Sequence, residues 1–339
     1  MNLKAGKLPI ELLKNSLEIA RVYDKRVLLG PKVGEDAALL DFGDRLLVIA
    51  SDPVTFTTDN AAWYMAHVNA NDLYVTGAKP MWLMATVLLP VGTSKNQIES
   101  AFIQLHNACE EIGVSLIGGH TEITEGVSKI IFSGTIIGEV EKEKVILSSG
   151  ASEGDSIVLT RGIAIEGTAI LAKEAEQQIL ANGVDKETIV RARNLLVKPG
   201  ISVKEDVEIA MSGYNVNSMH DPTEGGISSA LLELATAANV GFQVDQKLIP
   251  VLPECREISD ALSIDPMGLI SSGSLIITLP EDDARRLVLK YQNLGIYACV
   301  IGKILPVSHG CKMTTSNGFL KNIVQFERDE LARYFSNNH

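Results

Sequence analysis

Apolar runs in this chain end on acids. Asp36 stands in Gly34-Glu35-Asp36-Ala37-Ala38-Leu39-Leu40, and Asp52 closes the run that begins at Leu46. Asp72 follows Asn69-Ala70-Asn71, and Asp221 lies within Met219-His220-Asp221-Pro222-Thr223-Glu224-Gly225-Gly226. An acid that ends a buried strand is held rigidly at a sheet edge. Several acids converging on one point repel each other unless a cation lies between them. Magnesium with a polyphosphate is the commonest cation that uses scattered carboxylates without His or Cys. The pattern therefore points to nucleoside-triphosphate chemistry.

Composition narrows the class. A length of 339 residues accommodates two domains of ordinary size, and 46% hydrophobic residues suffice for full cores. The net charge of −12, with no cluster of Lys and Arg, argues against a nucleic-acid partner. Cys109, Cys255, Cys299 and Cys311 are far apart and form no C-x-x-C pair, which argues against zinc and for a reduced, intracellular protein. The N-terminal residues have no apolar signal core, and the longest uncharged apolar stretch, Pro80 to Ser94, is too short to span a bilayer. The expectation is a cytoplasmic protein without a membrane partner.

Hydrophobic periodicity predicts helices over 9–23, 61–74 and 96–112, and strands over 46–50, 82–89, 114–117 and 129–140. Ser148–Asp155 interrupts every pattern, so the expected domains are 1–150 and 151–339. In the second half, strands are expected at 156–160, 216–219, 275–279 and 298–304. Helices are expected at 166–176, 187–196, 203–211, 226–238 and 282–294. Both halves are mixed α/β.

Each motif has a plain reading beside the chemical one. Gly34-Glu35-Asp36, and Ser51 with Asp52, can be solvated turns. Asn69 and Asp72 share a helix face, or form a polar helix end. Gly118-Gly119-His120-Thr121 follows the expected strand 114–117, where two glycines let a backbone approach a ligand or simply make a tight turn. Asp221, Thr223, Gly225 and Gly226 precede a helix, as an anion-binding N-terminus or as a capping segment. Gly167-Thr168 and Ser271-Ser272-Gly273-Ser274 have the same double reading. No Walker-type loop occurs.

Taken in order, these motifs resemble the family of aminoimidazole ribonucleotide synthase, thiamine-monophosphate kinase, selenophosphate synthetase and the hydrogenase-maturation protein HypE. The resemblance runs from Gly6 to about Glu330. Met219-His220-Asp221-Pro222-Thr223 looks most like HypE, and Glu166-Gly167-Thr168-Ala169-Ile170-Leu171 more like the synthase. The resemblance implies a two-domain α/β (α+β) fold. Its N-terminal mixed sheet forms the core of a homodimer, and its C-terminal domain is an α/β sandwich.

It also implies ATP and Mg2+ as cofactors, with Asp36, Asp52, Asp72 and Asp221 on the metal. Lys7, Gly118, Gly119, His120, Thr121, Asp221, Thr223, Gly225 and Gly226 fall at nucleotide-binding positions, with Gly6 and Lys7 in a lid. The implied chemistry is attack by a carbonyl-type oxygen on the γ-phosphate, with alignment and charge neutralisation as the protein's part. The acceptor belongs to a maturation partner protein or to a small molecule.

Two departures stand out. Family members often carry an acid where this chain has His120, which leaves the number of metal ions open. HypE carries an acceptor cysteine at its C-terminus, whereas the last cysteine here is Cys311 and the sequence ends Tyr-Phe-Ser-Asn-Asn-His. The reading is therefore a HypE-like enzyme lacking that cysteine. Alternatives are the synthase, a thiamine-monophosphate-kinase-like enzyme, and a non-catalytic nucleotide-binding scaffold.

Overall fold

The computed structural model describes residues 6–56 and 60–337. They form two compact units. The N-terminal unit holds Val22–Gly30 and Asp36–Val145. The C-terminal unit holds the described residues up to Arg21, then Pro31–Glu35, then the chain from Ile146 onward. The short piece 31–35 joins that unit for a visible reason: the Glu35 carboxylate accepts the N–H groups of Ser148 and Ser149, each at 3.1 Å.

The first element, α1 (Ile10–Leu17), belongs to the C-terminal unit. It is shorter than the expected 9–23. None of its residues is buried, so no packing face extends it, and short helices are marginal without one.

The N-terminal unit contains β1 (Val27–Leu29), β2 (Ala38–Asp41), β3 (Arg45–Ala50), β4 (Pro53–Val54), α2 (Ala61–Tyr74), β5 (Lys79–Pro90), α3 (Lys95–Ile112), β6 (Ser115–Thr124) and β7 (Ile131–Glu141). The sheet order is β1-β2-β3-β7-β5-β6, with β4 also on β7. Every pairing is antiparallel except β5 with β6. Helix α2 is alanine-rich and packs against β7, β5 and α3. It buries residues on all sides, polar Asn69, Asn71 and Asp72 included, as expected of a helix enclosed by sheet and helix. Gly134 on β7 permits this closeness: a Cβ there would lie 2.3 Å from the Met65 sulfur. Helix α3 starts with a capping box of Ser94 and Gln97 and stops at Gly113 in the left-handed conformation.

One strand corrects the sequence reading. β6 does not stop at Ile117; it runs on to Thr124, with Gly118 to Thr121 paired to Met84 to Val87 of β5. The glycines therefore lie inside a strand rather than in a turn after it. The register shifts between Leu83 and Met84, leaving Ile117 as the extra residue of a bulge. Gly119 has φ +147°, and a Cβ there would lie 1.8 Å from the Ala85 carbonyl oxygen. Only glycine allows the two strands to pair at this point.

The C-terminal unit adds β8 (Ser156–Thr160), α4 (Ile165–Glu174), α5 (Glu176–Ala181), α6 (Lys186–Asn194), α7 (Lys204–Ala210), β9 (Ser218–His220), α8 (Gly226–Ala238), β10 (Gly241–Asp245), α9 (Pro253–Leu262), β11 (Ile276–Leu279), α10 (Glu281–Asn293), β12 (Ala298–Leu305), β13 (Cys311–Thr314), β14 (Leu320–Asn322) and α11 (Glu330–Asn337). Its sheet order is β14-β13-β10-β12-β8-β11-β9. β8 is buried at all five residues. Ile157 and Leu159 pack with Ile227, Leu231 and Leu234 of α8. Alternation puts the other face of β8 on the opposite side of the sheet, where α10 crosses β8, β11 and β12. The C-terminal half is thus a sheet with helices on both faces. Among the described residues, no helix is long and apolar enough to cross a membrane.

Candidate functional site

In the N-terminal unit, Asp52 and Asp72 are positioned through α2. Asp52 follows β3, and its backbone is held on both sides by one side chain. The Asp52 N–H donates to Asn69 Oδ1 at 3.0 Å, and Asn69 Nδ2 donates to the Asp52 carbonyl at 3.1 Å. Asn69 Nδ2 also donates to the Met65 carbonyl at 2.8 Å. The Gly134 N–H reaches the Asp52 carbonyl at 3.0 Å, and the Ser51 hydroxyl donates to the Gly134 carbonyl at 2.8 Å. Asp72 lies three residues beyond Asn69 on the same helix and is buried. Asp36 is half-buried just ahead of β2.

His120 and Glu122 share the exposed edge strand. His120 Nε2 lies 3.3 Å from the Glu122 carboxylate, and Thr124 donates to the same group. The Thr124 hydroxyl and then His120 hold that carboxyl below its ordinary range.

The C-terminal unit gathers a second group around the start of α8. Asp221 is buried there, 2% exposed. A chain of contacts runs past it. Ser148 Oγ meets His220 Nδ1 at 3.2 Å, and His220 Nε2 meets Glu233 Oε2 at 3.3 Å. Glu233 Oε1 lies 3.4 Å from Lys7 Nζ. Burial would raise the Glu233 carboxyl, but the charges of Lys7 and His220 bring it down to about 2. Lys7 Nζ also lies 3.3 Å from the Thr223 hydroxyl, and the Lys7 N–H donates to Glu224 Oε1 at 2.7 Å. The structure thus brings the N-terminal segment onto the Asp221–Gly226 motif.

The two glycines of that motif do different things. Gly225 is the N-cap of α8, with φ +86°. Its N–H donates to Asp329 Oδ2 at 2.7 Å. A carboxylate of the chain itself therefore occupies the anion-seeking helix end. Gly226 packs against the 267–269 backbone; a Cβ there would lie 2.6 Å from the Met267 carbonyl oxygen.

Lys7, Glu224, Glu233, Phe326, Arg328 and Asp329 are among the residues around a cleft of about 350 Å³ in this unit. Asp329 is buried and also accepts the Leu331 N–H at 2.7 Å. Burial, with the charges of Glu224 and Glu166 added, pushes it up to about 7 despite its two backbone hydrogen bonds. Glu166, the second residue of α4, is fully enclosed and likewise pushed up to about 7 by burial, with Ser272 opposing and Glu224 adding to the rise.

Among the described residues, no group of three or more His, Cys, Asp or Glu side chains is close enough to hold a metal ion unaided. Magnesium does not need one. It keeps several waters and takes one or two carboxylates together with phosphate oxygens. Asp36, Asp52 and Asp72 carry oxygen donors of the kind such an ion takes, and the Asp52 backbone is fixed by three hydrogen bonds, but the three are not gathered into one cluster.

Comparison with known proteins identifies the family. The N-terminal domain pattern of AIR synthase related proteins matches residues 34–140, and the C-terminal domain pattern matches residues 152–311. The chain belongs to the AIR synthase-related family. Within that family it is 30% identical over 308 residues to a protein of Methanocaldococcus jannaschii named for hydrogenase expression and formation, covering 88% of each chain. It is 26% identical to carbamoyl dehydratase HypE of Rhizobium leguminosarum, covering 89% of this chain and 86% of the other. The AIR synthase-related fold is also that of a solved hydrogenase-maturation protein HypE in complex with ATP, at a TM-score of 0.70 and 22% identity, covering 94% and 91% of the two chains.

Nothing in the sequence marks the Asn69 clamp, Glu166, Glu233 or Asp329 as functional. The three-residue spacing of Asn69 and Asp72 was the one visible hint. Glu166 and Asp329 are brought to Glu224 by the fold alone.

Proposed function

We propose that this chain is an ATP- and Mg2+-dependent enzyme that transfers the γ-phosphoryl group to a carbonyl-type oxygen, in a HypE-like hydrogenase-maturation role. The observation that carries this reading is the similarity over 88% of both chains to a relative named for hydrogenase expression and formation. Asp36, Asp52, Asp72 and Asp221 are the proposed magnesium ligands. Lys7 is the proposed cation for phosphate, a point charge on a flexible stem. Thr223 and the Gly225-Gly226 turn lie beside it and take part in nucleotide binding. Gly118, Gly119, His120 and Thr121 are proposed to act from the β6 edge.

Magnesium, when bound, would neutralise charge on the transferring phosphoryl group. The chain's own part is positioning. The Asn69 clamp fixes the backbone of Asp52, and Glu233 with Thr223 holds the Lys7 ammonium in place. No protein nucleophile is required.

We further propose that the active form is a homodimer in the cytoplasm. The exposed edge strand β6, with Leu116, Ile117 and Ile123 outward, supports it, since such an edge invites pairing with another chain. The phosphoryl acceptor is proposed to lie on a maturation partner protein or a small molecule.

The test is ADP release by the wild type and by Asp52→Asn and Asp72→Asn chains, with candidate carbonyl acceptors supplied. Steady ADP release by the wild type, lost in both variants, is the expected result. Equal release by all three would end the metal assignment. A chain that binds nucleotide and never forms ADP would be a scaffold instead.

A further inference from the structure

One buried histidine of the N-terminal unit lies outside the candidate site. His67 of α2 is 5% exposed, and its ring lies against Trp63 one turn earlier, with centroids 4.3 Å apart and planes at 44°. A single carboxylate on α3 meets both rings. Trp63 Nε1 donates to Glu111 Oε2 at 2.9 Å, and His67 Nε2 lies 3.3 Å from Glu111 Oε1. Glu111 is in the last turn of α3, where an acid faces the negative end of the helix and no basic residue offsets it. Its contacts to α2 compensate for that placement. Glu111 itself is more than half exposed, whereas both His67 nitrogens are enclosed and make no hydrogen bond of good geometry.

Two opposing effects bear on that imidazole. Removal from water disfavours its charged form, and the Glu111 carboxylate favours it. Burial is the larger effect and holds the pKa below the ordinary 6.5. Among the described residues, Glu111 alone of the charged groups on α2 and on the elements packed against it, α3, β3, β4, β5 and β7, acts on the ring. An opened α2, with the ring in water, takes up the proton more readily than the closed one. The closed contact is therefore at full strength above about pH 6.5 and weakens as pH falls through that value towards the lowered one. The same helix carries Asn69, which clamps the Asp52 backbone, so loosening of α2 reaches that loop.

We propose that Trp63, His67 and Glu111 form an acid-sensitive latch that holds α2 against α3, and that its release loosens the Asn69 clamp on Asp52. The latch stands apart from the phosphotransfer reading. Only its effect on nucleotide binding rests on that reading.

The experiment is hydrogen exchange of the full chain, read by mass spectrometry over 51–54 and 61–74 at pH 7.5 and pH 5.5, with protection corrected for the intrinsic rate. Wild-type protection is expected to fall at least about threefold at the lower pH, since each unit below the ordinary histidine value favours such an opening by at most about tenfold. His67→Phe keeps an aromatic ring on Trp63 and cannot titrate, so its protection is expected to be equal at both values. Glu111→Gln keeps an acceptor for Trp63 and removes the countercharge, so its fall is expected to exceed that of the wild type. Should His67→Phe fail to fold, Glu111→Gln against the wild type decides. A wild-type fall no greater than that of His67→Phe, or a fall in Glu111→Gln no greater than that of the wild type, would overturn the latch. A fall confined to 61–74, with 51–54 unchanged, would overturn its link to the clamp. Binding of a magnesium–ATP analogue is measured at the same two pH values. Unchanged binding where protection of 51–54 is lost counts against the proposed role of Asp52 and not against the latch.

Discussion

Asn69 holds both backbone polar groups of Asp52, accepting from its N–H at 3.0 Å and donating to its carbonyl at 3.1 Å. The side chain is fully buried on α2, so the loop after β3 is tied to the helix that also carries Asp72. Asn69→Ala removes both contacts and leaves part-buried backbone groups without them. The expected cost is about 1–3 kcal/mol of stability, read from chemical denaturation. In the same variant, affinity for a magnesium–ATP analogue should fall more than that of a variant equally destabilised elsewhere. Equal affinities in Asn69→Ala and its equally destabilised control would show that the clamp is structural only.

Gly119 tests the pairing of β5 with β6. An added Cβ would lie 1.8 Å from the Ala85 carbonyl oxygen, at a φ of +147°. Gly119→Ala should therefore push the strands apart and cost about 1–3 kcal/mol, the usual cost of forcing a clash into a packed site. Gly43 is the control, because nothing lies within 4 Å of a Cβ there. It also has positive φ, +91°, so the comparison isolates the clash from backbone strain. Hydrogen exchange along 115–124 should accelerate in Gly119→Ala and not in Gly43→Ala.

Glu166 makes a prediction about pH. Burial raises its carboxyl from 4.5 to about 7. The folded chain then holds a proton that the unfolded chain releases between those values. Stability from this group is full below about pH 4.5, falls as pH rises through about 7, and is flat beyond. A shift of that size corresponds to about 3 kcal/mol. Glu166→Gln should lose its own share of the decline, while Asp329, also raised to about 7, keeps a second share in the same window, and it should be the more stable chain at pH 8. Denaturation midpoints at pH 5 and pH 8 for both chains decide the matter. Parallel profiles would mean that Glu166 is solvated after all. The low Glu233 carboxyl acts in a separate, acidic window, where stability falls as pH drops from about 4.5 towards about 2.

The parts of the fold most legible in the sequence were those with an unbroken pattern. Helices α2 and α8 start and stop where the residues say, because apolar content and glycine or proline boundaries agree. β6 was misread past Ile117. Its residues are nearly all exposed on an edge strand, so no alternation of apolar and polar residues marks it, and two glycines imitate a turn. α1 was overextended because periodicity alone does not report whether a face finds anything to pack against. Of the candidate site, Lys7 and the Asp221–Gly226 motif are singled out by family resemblance, and the structure joins them through Glu224, Glu233 and Thr223. The carboxyl cluster was not. Glu166, Glu224 and Asp329 come from α4, the turn before α8 and the approach to α11, and each alone reads as an ordinary acid.

On the proposed reading, nucleotide binds this chain together with magnesium held by Asp52 and Asp72. Isothermal titration of a non-hydrolysable ATP analogue, with magnesium and with chelator, tests it most directly. The expected result is binding that needs magnesium and that weakens at least about tenfold, or about 1.4 kcal/mol, in both Asp52→Asn and Asp72→Asn. Binding of equal strength with chelator, or in both variants, would contradict it.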